Sequence, residues 1–181
     1  GTPYIYQGEE LGMTNPGFHD ISQYRDVESI NHFRILQEKG LTRENAYQIL
    51  AIHSRDNSRT PMQWSDQKNG GFSQAEPWIE VNDNCAYINA ETEEKDEDSI
   101  FHYYQKLITL RKKYDIVGYG DFEALDEMHP SVLAYRRNYQ DQKLLVINNF
   151  YGKEVTWEAD ESLKDYTCIL SNYEHHMMDG K

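Results

Sequence analysis

Two short stretches concentrate side chains able to bind charge or donate hydrogen bonds: Tyr24-Arg25-Asp26-Val27-Glu28-Ser29 and Ser54-Arg55-Asp56-Asn57-Ser58-Arg59-Thr60-Pro61-Met62-Gln63-Trp64. An arginine presents several donors in a rigid fork, suited to gripping a carboxylate and further acceptors at once; such a contact positions a ligand but breaks no bond. The alternative for Arg55 is a helix-end arginine pairing with Asp56 or a backbone carbonyl. For Glu28 it is an acidic residue near a helix start, favourable to the dipole and otherwise silent. Asp26 and Arg59 read as ion-pair partners that support loops. Glu9 and Glu10 invite a role as a carboxylate pair, but neighbours on a strand point to opposite faces, so they read as hydrogen-bond acceptors holding a loop. Neither the 7 histidines nor Cys85 and Cys168 show metal-ligand spacing, and His175-His176 reads as an exposed tail. No glycine-rich phosphate loop or basic cluster occurs, and no metal or cofactor is expected.

The positioning elements follow from periodicity and breakers. Pro3 and the β-prone Tyr4-Ile5-Tyr6 open the chain as a strand, and residues 14–26, rich in Asn, Pro, Gly, Ser and Asp, form a long loop. Ser29 can cap a helix over 30–39, stopped by Gly40, and Thr42 can cap a second ending near Ser54. Residues 55–89 read as an ordered extended loop, broken by Pro61, Gly70, Gly71 and Pro77, with Trp64, Phe72 and Trp78 as packing anchors. An acidic entrance at 91–98 leads into a helix over 99–114, with apolar residues at three- and four-residue steps and a basic end that complements the dipole. Short β-prone runs then follow at 122–125, 132–139, 143–150, 155–157 and 166–170. Their short connections imply an antiparallel sheet and a second domain beginning near residue 116.

With 18 basic and 31 acidic residues among 181, the net charge of −13 makes nucleic acid and anionic membrane surfaces poor partners. No apolar run approaches the length of a membrane span, and nothing at the start reads as a leader, so a soluble protein with reduced, cytoplasmic thiols is expected. The 14 tyrosines and 3 tryptophans suit carbohydrate stacking, but equally suit cores.

The opening run Gly1-Thr2-Pro3-Tyr4-Ile5-Tyr6-Gln7-Gly8-Glu9-Glu10-Leu11-Gly12-Met13 resembles the last barrel strand of the α-amylase superfamily, glycoside hydrolase family 13. The two charged stretches resemble the oligo-1,6-glucosidase group of that superfamily. Asp98-Ser99-Ile100-Phe101-His102-Tyr103-Tyr104 and its helix look like the barrel's last helix, and the alternating region resembles the C-terminal β-sandwich. Within the group, Ser54 before Arg55, Leu144-Leu145-Val146-Ile147-Asn148-Asn149-Phe150-Tyr151-Gly152 and Ile169-Leu170-Ser171-Asn172-Tyr173-Glu174 are most similar to bacterial trehalose-6-phosphate hydrolases.

The resemblance implies an α+β chain: residues 1–115 finish a (β/α)8 barrel, and 116–181 form an antiparallel β-sandwich lacking its last strand. It implies a retaining α-glucosidase that splits trehalose 6-phosphate into glucose and glucose 6-phosphate. Oligo-1,6-glucosidase or dextran glucosidase activity is the alternative, and a non-catalytic carbohydrate-binding sandwich is a reading of another class. Retention requires two carboxyls about 5–5.5 Å apart across the bond. In the family the aspartate nucleophile, the glutamate acid/base and a second aspartate lie upstream of the position of Gly1, so no catalytic residue is assigned here. The chain is expected to be a C-terminal fragment, inactive alone. By the same resemblance Arg55 hydrogen-bonds the non-reducing glucose and Glu28 approaches the leaving-group side. One strand cannot close a barrel, so residues 4–6 are expected to be displaced, self-associated or poorly ordered.

Overall fold

The computed structural model describes residues 2–160 and 162–172; the His175-His176 tail lies outside the described residues. Tyr4–Tyr104 form one compact unit, and the described residues from Gln105 onward, with residues 2–3, form a second.

In the first unit the opening run does not form a strand. Tyr4 is 93 % exposed, and residues 4–6 have no sheet pairing. The Tyr6 hydroxyl donates to the carbonyl of Ser58, which ties down the ring, and the Tyr6 carbonyl accepts the Glu9 amide at 3.1 Å as the chain enters the following turn. Gly8 and Gly12, both at positive φ, then bracket a 3₁₀ turn over Glu9–Leu11.

Helices α1 (Val27–Glu38) and α2 (Arg43–His53) make a hairpin. The cap of α1 is Asp26, not Ser29: its Oδ2 accepts from the Ser29 amide at 3.0 Å, so the helix starts three residues earlier than a Ser29 cap would place it, and the carboxylate sits where the helix dipole favours negative charge. Gly40, at φ +88°, ends α1 with the amides of Gly40 and Leu41 returning to the carbonyls of Gln37 and Leu36. Thr42 caps α2, as expected. At about 1.5 Å per residue, helices of 12 and 11 residues are nearly equal in length. The end of α2 therefore returns beside the start of α1, which brings Ser54 and Arg55 next to Asp26 and Glu28. Phe33 and Leu36 pack with Ala46 and Leu50, and with Phe18, Tyr24 and Ile79 from the flanking loops.

The extended stretch from Arg55 is ordered by short 3₁₀ turns at Arg55–Ser58, Lys68–Gly71 and Asp83–Ala86. Its anchors are not the expected aromatic residues. Trp64, Phe72 and Trp78 are 53 %, 50 % and 64 % exposed, whereas Met62, Gln63 and Ile79 are buried. Hydrogen bonding fixes the path instead: the amides of Trp64 and Ser65 share the carbonyl of Gly70 at 2.7 and 3.1 Å. The buried Gln63 side chain donates to Asn84 Oδ1 at 3.1 Å and to the carbonyl of Ile88. After the short helix α3 (Ala90–Glu93), helix α4 (Ile100–Lys113) forms where periodicity predicts it, but Ile100, Leu107 and Ile108 on its apolar stripe stay about half-exposed.

In the second unit α5 (Asp115–Tyr119) precedes an antiparallel meander of β1 (Glu123–Leu125), β2 (Val132–Tyr139) and β3 (Gln142–Asn149). Leu125 pairs with Ala134, and Ala134 with Ile147. Gln140, at φ +55°, makes the tight β2–β3 turn expected at Gln140-Asp141. Arg137 donates to the carbonyls of Val117, Gly120 and Asp121 and so pins the end of α5 to β2. The runs at 155–157 and 166–170 do not become strands among the described residues. The Lys153 amide turns back to the carbonyl of Tyr151, and the Tyr166 amide to that of Leu163, so the chain folds on itself before a ladder can start. The α+β class and the antiparallel order are as expected, with one three-stranded sheet among the described residues.

Candidate functional site

Asp26 and Glu28 at the entrance of α1 face Ser54, Arg55 and Asp56 at the exit of α2. Arg55 Nη2 lies 2.8 Å from Glu28 Oε2, with the two side chains 65 % and 70 % exposed. Arg55 therefore pairs with Glu28 and not with Asp56, the alternative partner considered from the sequence. Glu28 also occupies the first turn of α1, where its charge is favourable to the dipole.

Beneath this exposed pair lies a buried polar network. Asp56 is 0 % exposed, and its Oδ2 accepts the amides of Arg25 at 2.7 Å and Asp26 at 2.8 Å. The Ser54 hydroxyl caps the Arg55–Ser58 turn by accepting the Asp56 amide at 3.1 Å, and it meets the Ser29 hydroxyl at 2.9 Å. Ser29 Oγ in turn donates to Asp26 Oδ2 at 2.8 Å. Asn57 Nδ2 donates to the carbonyl of Ala51 at 2.9 Å and locks the far side of the turn. Arg59 Nη1 sits 3.6 Å from Asp56 Oδ1 and 3.9 Å from Asp26 Oδ1, joining the two carboxylates from one side. Burial works against ionisation of Asp26, but the Ser29 hydrogen bonds and the nearby Arg55 and Arg59 outweigh it and leave its pKa below the usual 3.8. The ring of Tyr24 packs into the core close to the Asp56 charge. Burial first, and that charge second, push its hydroxyl up to about 12.

A groove of about 860 Å³ runs along the pair, lined by Glu28, His32, His53 and Arg55 over Ile35 and Leu50. Such a surface, apolar below and edged by a guanidinium and a carboxylate, can hold a polyhydroxylated ring by matching donors and acceptors. A second cleft of about 670 Å³ takes in Arg59, Asn15, Glu9, Tyr6, Phe72 and Trp78. Glu9 and Glu10 lie on a 3₁₀ turn, not a strand. Glu9 Oε1 accepts from the Tyr104 hydroxyl at 3.1 Å and Glu10 Oε2 from the Gly8 amide at 2.8 Å, so both hold the loop. Among the described residues no cluster of His, Cys, Asp and Glu could hold a metal ion, and no helix is long and apolar enough to cross a membrane.

Asp56, Ser54 and Ser29 escaped the reading of the sequence as a connected unit. The available signal was the hydroxyl two residues before Asp56, a spacing that lets a serine cap the turn holding that carboxylate.

Residues 1–120 match the model of the α-amylase catalytic domain, and 132–181 match that of the C-terminal domain of the α-amylase SusG. The chain is 54 % identical to a trehalose-6-phosphate hydrolase of Bacillus subtilis over 90 % of this chain and 29 % of the relative. It is 46 % identical to an oligo-1,6-glucosidase of Halalkalibacterium halodurans over 96 % of this chain and 31 % of the relative. Among solved structures, the trehalose-6-phosphate hydrolase of Bacillus licheniformis superposes with a TM-score of 0.93 at 52 % identity, over 98 % of this chain and 33 % of that one. The chain thus spans about a third of the length of the relatives it matches. With two thirds of its residues matched by the catalytic-domain model, the chain belongs to the α-amylase family, glycoside hydrolase family 13.

Proposed function

We propose that this chain supplies the sugar-gripping end of a retaining α-glucosidase acting on trehalose 6-phosphate, with Arg55 and Glu28 as substrate-binding residues and Asp26 and Arg59 holding their loops. The observation that carries the reading is the exposed Arg55–Glu28 pair at 2.8 Å on the edge of a groove. The guanidinium has donors left over for glucose hydroxyls, and the carboxylate has a free acceptor edge for the aglycone side. Relatives named trehalose-6-phosphate hydrolase, at 54 % and 48 % identity, support the substrate. Relatives named oligo-1,6-glucosidase, at 46 % and 48 %, favour α-1,6-linked glucosides as the second reading.

In this account residues 1–115 complete the barrel and 116–181 form the C-terminal sandwich domain, while the catalytic carboxylates come from sequence outside this chain. The half-exposed stripe of α4 and residues 4–6, which lie outside any sheet, are surfaces that a full barrel would cover, and in the chain alone they would promote self-association. Free Cys85 and Cys168 suit a reducing, cytoplasmic setting.

The test is kinetic, on the full-length gene product. Its kcat/KM for trehalose 6-phosphate should exceed that for isomaltose. Arg55→Ala should raise KM by about tenfold to a hundredfold, the loss of one hydrogen bond to a charged group. Preference for isomaltose moves the assignment to the second reading. Tight binding of trehalose 6-phosphate or maltose to this chain by calorimetry would favour a self-sufficient binding module.

A further inference from the structure

An ion pair as exposed as Arg55–Glu28 contributes too little energy to fix its own geometry. Two long side chains on different elements meet at 2.8 Å because their backbones are held, and the groups that hold them lie underneath. Three connections cross from the exit of α2 to the entrance of α1. Asp56 Oδ2 takes the amides of Arg25 and Asp26, the Ser54 hydroxyl meets that of Ser29, and Arg59 reaches Asp26. Asp56 takes part in the first, and its own amide orients the Ser54 hydroxyl in the second. It also faces Arg59 at 3.6 Å.

A fully buried carboxylate is an expensive way to satisfy two amides, since a neutral oxygen would accept them without a desolvated charge. Among the described residues Asp56 Oδ1 accepts no hydrogen bond, and the Arg59 guanidinium faces it at 3.6 Å. The arrangement gains geometry from that charge: charge-assisted bonds are shorter and stiffer, and here they set the residue after Arg55 against the two residues before Val27. Arg55 and Glu28 each stand one or two positions from an anchored atom, so a shift of the clamp carries directly into their separation.

We propose that Asp56 is a positioning residue for the sugar-binding pair, acting on substrate through Arg55 and Glu28 and never touching it. This rests on the reading of that pair given above. The clamp is a specificity device: it presents the guanidinium and the carboxylate at one fixed spacing, matched to one arrangement of hydroxyls across a glucoside.

The experiment is a double-mutant cycle in the full-length gene product, with trehalose 6-phosphate as the probe and melting temperature recorded alongside. Asp56→Ala removes both amide bonds and endangers the fold. Asp56→Asn is therefore the working variant: it has the same shape and keeps a weaker, neutral acceptor. Asp56→Asn should raise KM about threefold to tenfold with kcat nearly unchanged, as expected when a charge-assisted bond becomes a neutral one. In the Arg55→Ala background the same change should move KM by less than about twofold, because residues acting through one contact are not additive. A lower melting temperature with unaltered KM would make Asp56 a purely structural residue and overturn the inference. So would full additivity with Arg55→Ala. If Arg55→Ala alone leaves KM unchanged, the reading of the pair falls first, and that single arm shows it.

Discussion

The hydroxyl of Tyr24 offers a sharp test of the network under the site, because its environment shifts it by a readable amount. Tyr24 is 2 % exposed, its ring meets Phe18 edge-on at 5.6 Å, and its hydroxyl donates to the carbonyl of Phe18 at 3.1 Å. Burial and the charge of Asp56 push its pKa from 10.0 up to about 12. A raised value means that the folded state holds its proton where the unfolded chain has lost it. The associated stability is therefore complete below 10.0 and is lost as pH rises through about 12. With about 1.4 kcal/mol per unit, the loss reaches about 1.4 kcal/mol near pH 11 and up to about 2.7 kcal/mol once both forms are ionised.

Tyr24→Phe isolates this effect from the general alkaline weakening of an acidic protein. Near neutrality it should cost about 1–3 kcal/mol, since the carbonyl of Phe18 loses a buried partner. Urea unfolding of both proteins at a series of alkaline pH values then gives the difference. The wild-type advantage should shrink by about 1.4 kcal/mol between about pH 9 and pH 11. Difference absorbance should show the tyrosinate missing from Tyr24→Phe appearing well above the bulk transition. A constant advantage, or a Tyr24 that titrates with the exposed tyrosines, would refute the claim that Tyr24 is sealed beside a charged Asp56.

Asp26→Ala should cost about 1 kcal/mol through loss of the α1 cap, and because the folded pKa of Asp26 lies below 3.8, that difference should fade as pH drops through that region. Leu50→Ala, at a site 2 % exposed between α1 and α2, should lower stability by about 2–5 kcal/mol in thermal unfolding. Gly70→Ala places a Cβ 3.2 Å from Val81 Cγ1 at φ +62°, and should cost about 1–2 kcal/mol while loosening the loop anchored by the Gly70 carbonyl, seen as faster amide exchange at Trp64 and Ser65.

The helix hairpin was legible because its signals are local: capping at Thr42, a stop at Gly40 and apolar spacing along α1, α2 and α4. The first three strands were legible from alternation and the turn at Gln140-Asp141. What could not be read was which residues count as partners over long separations. The start of α1 was set by Asp26, an equally good capping type three residues upstream of Ser29. Trp64, Phe72 and Trp78 looked like anchors because large aromatic residues usually are; here Gln63 and the Gly70 carbonyl, small signals in a sequence, hold the loop. The β-prone runs at 155–157 and 166–170 had the composition of strands, but composition does not supply a neighbouring edge to pair with. Of the candidate site, Arg55 and Glu28 were legible by resemblance and Asp26 and Arg59 as ion-pair partners, and the structure brings Arg55 within ion-pair reach of Glu28 and Arg59 within reach of Asp26. The role of Asp56 is not legible, because a charged residue in a polar run gives no sign that it will be buried.

The most direct measurement is a crystal structure of the full-length gene product, inactivated at its nucleophile, with trehalose 6-phosphate bound. The Arg55 guanidinium should lie about 2.7–3.2 Å from hydroxyls of the non-reducing glucose, with Glu28 still in reach of the guanidinium and facing the second sugar. A glucoside seated elsewhere, with the Arg55–Glu28 pair intact and touching only water, would contradict this placement.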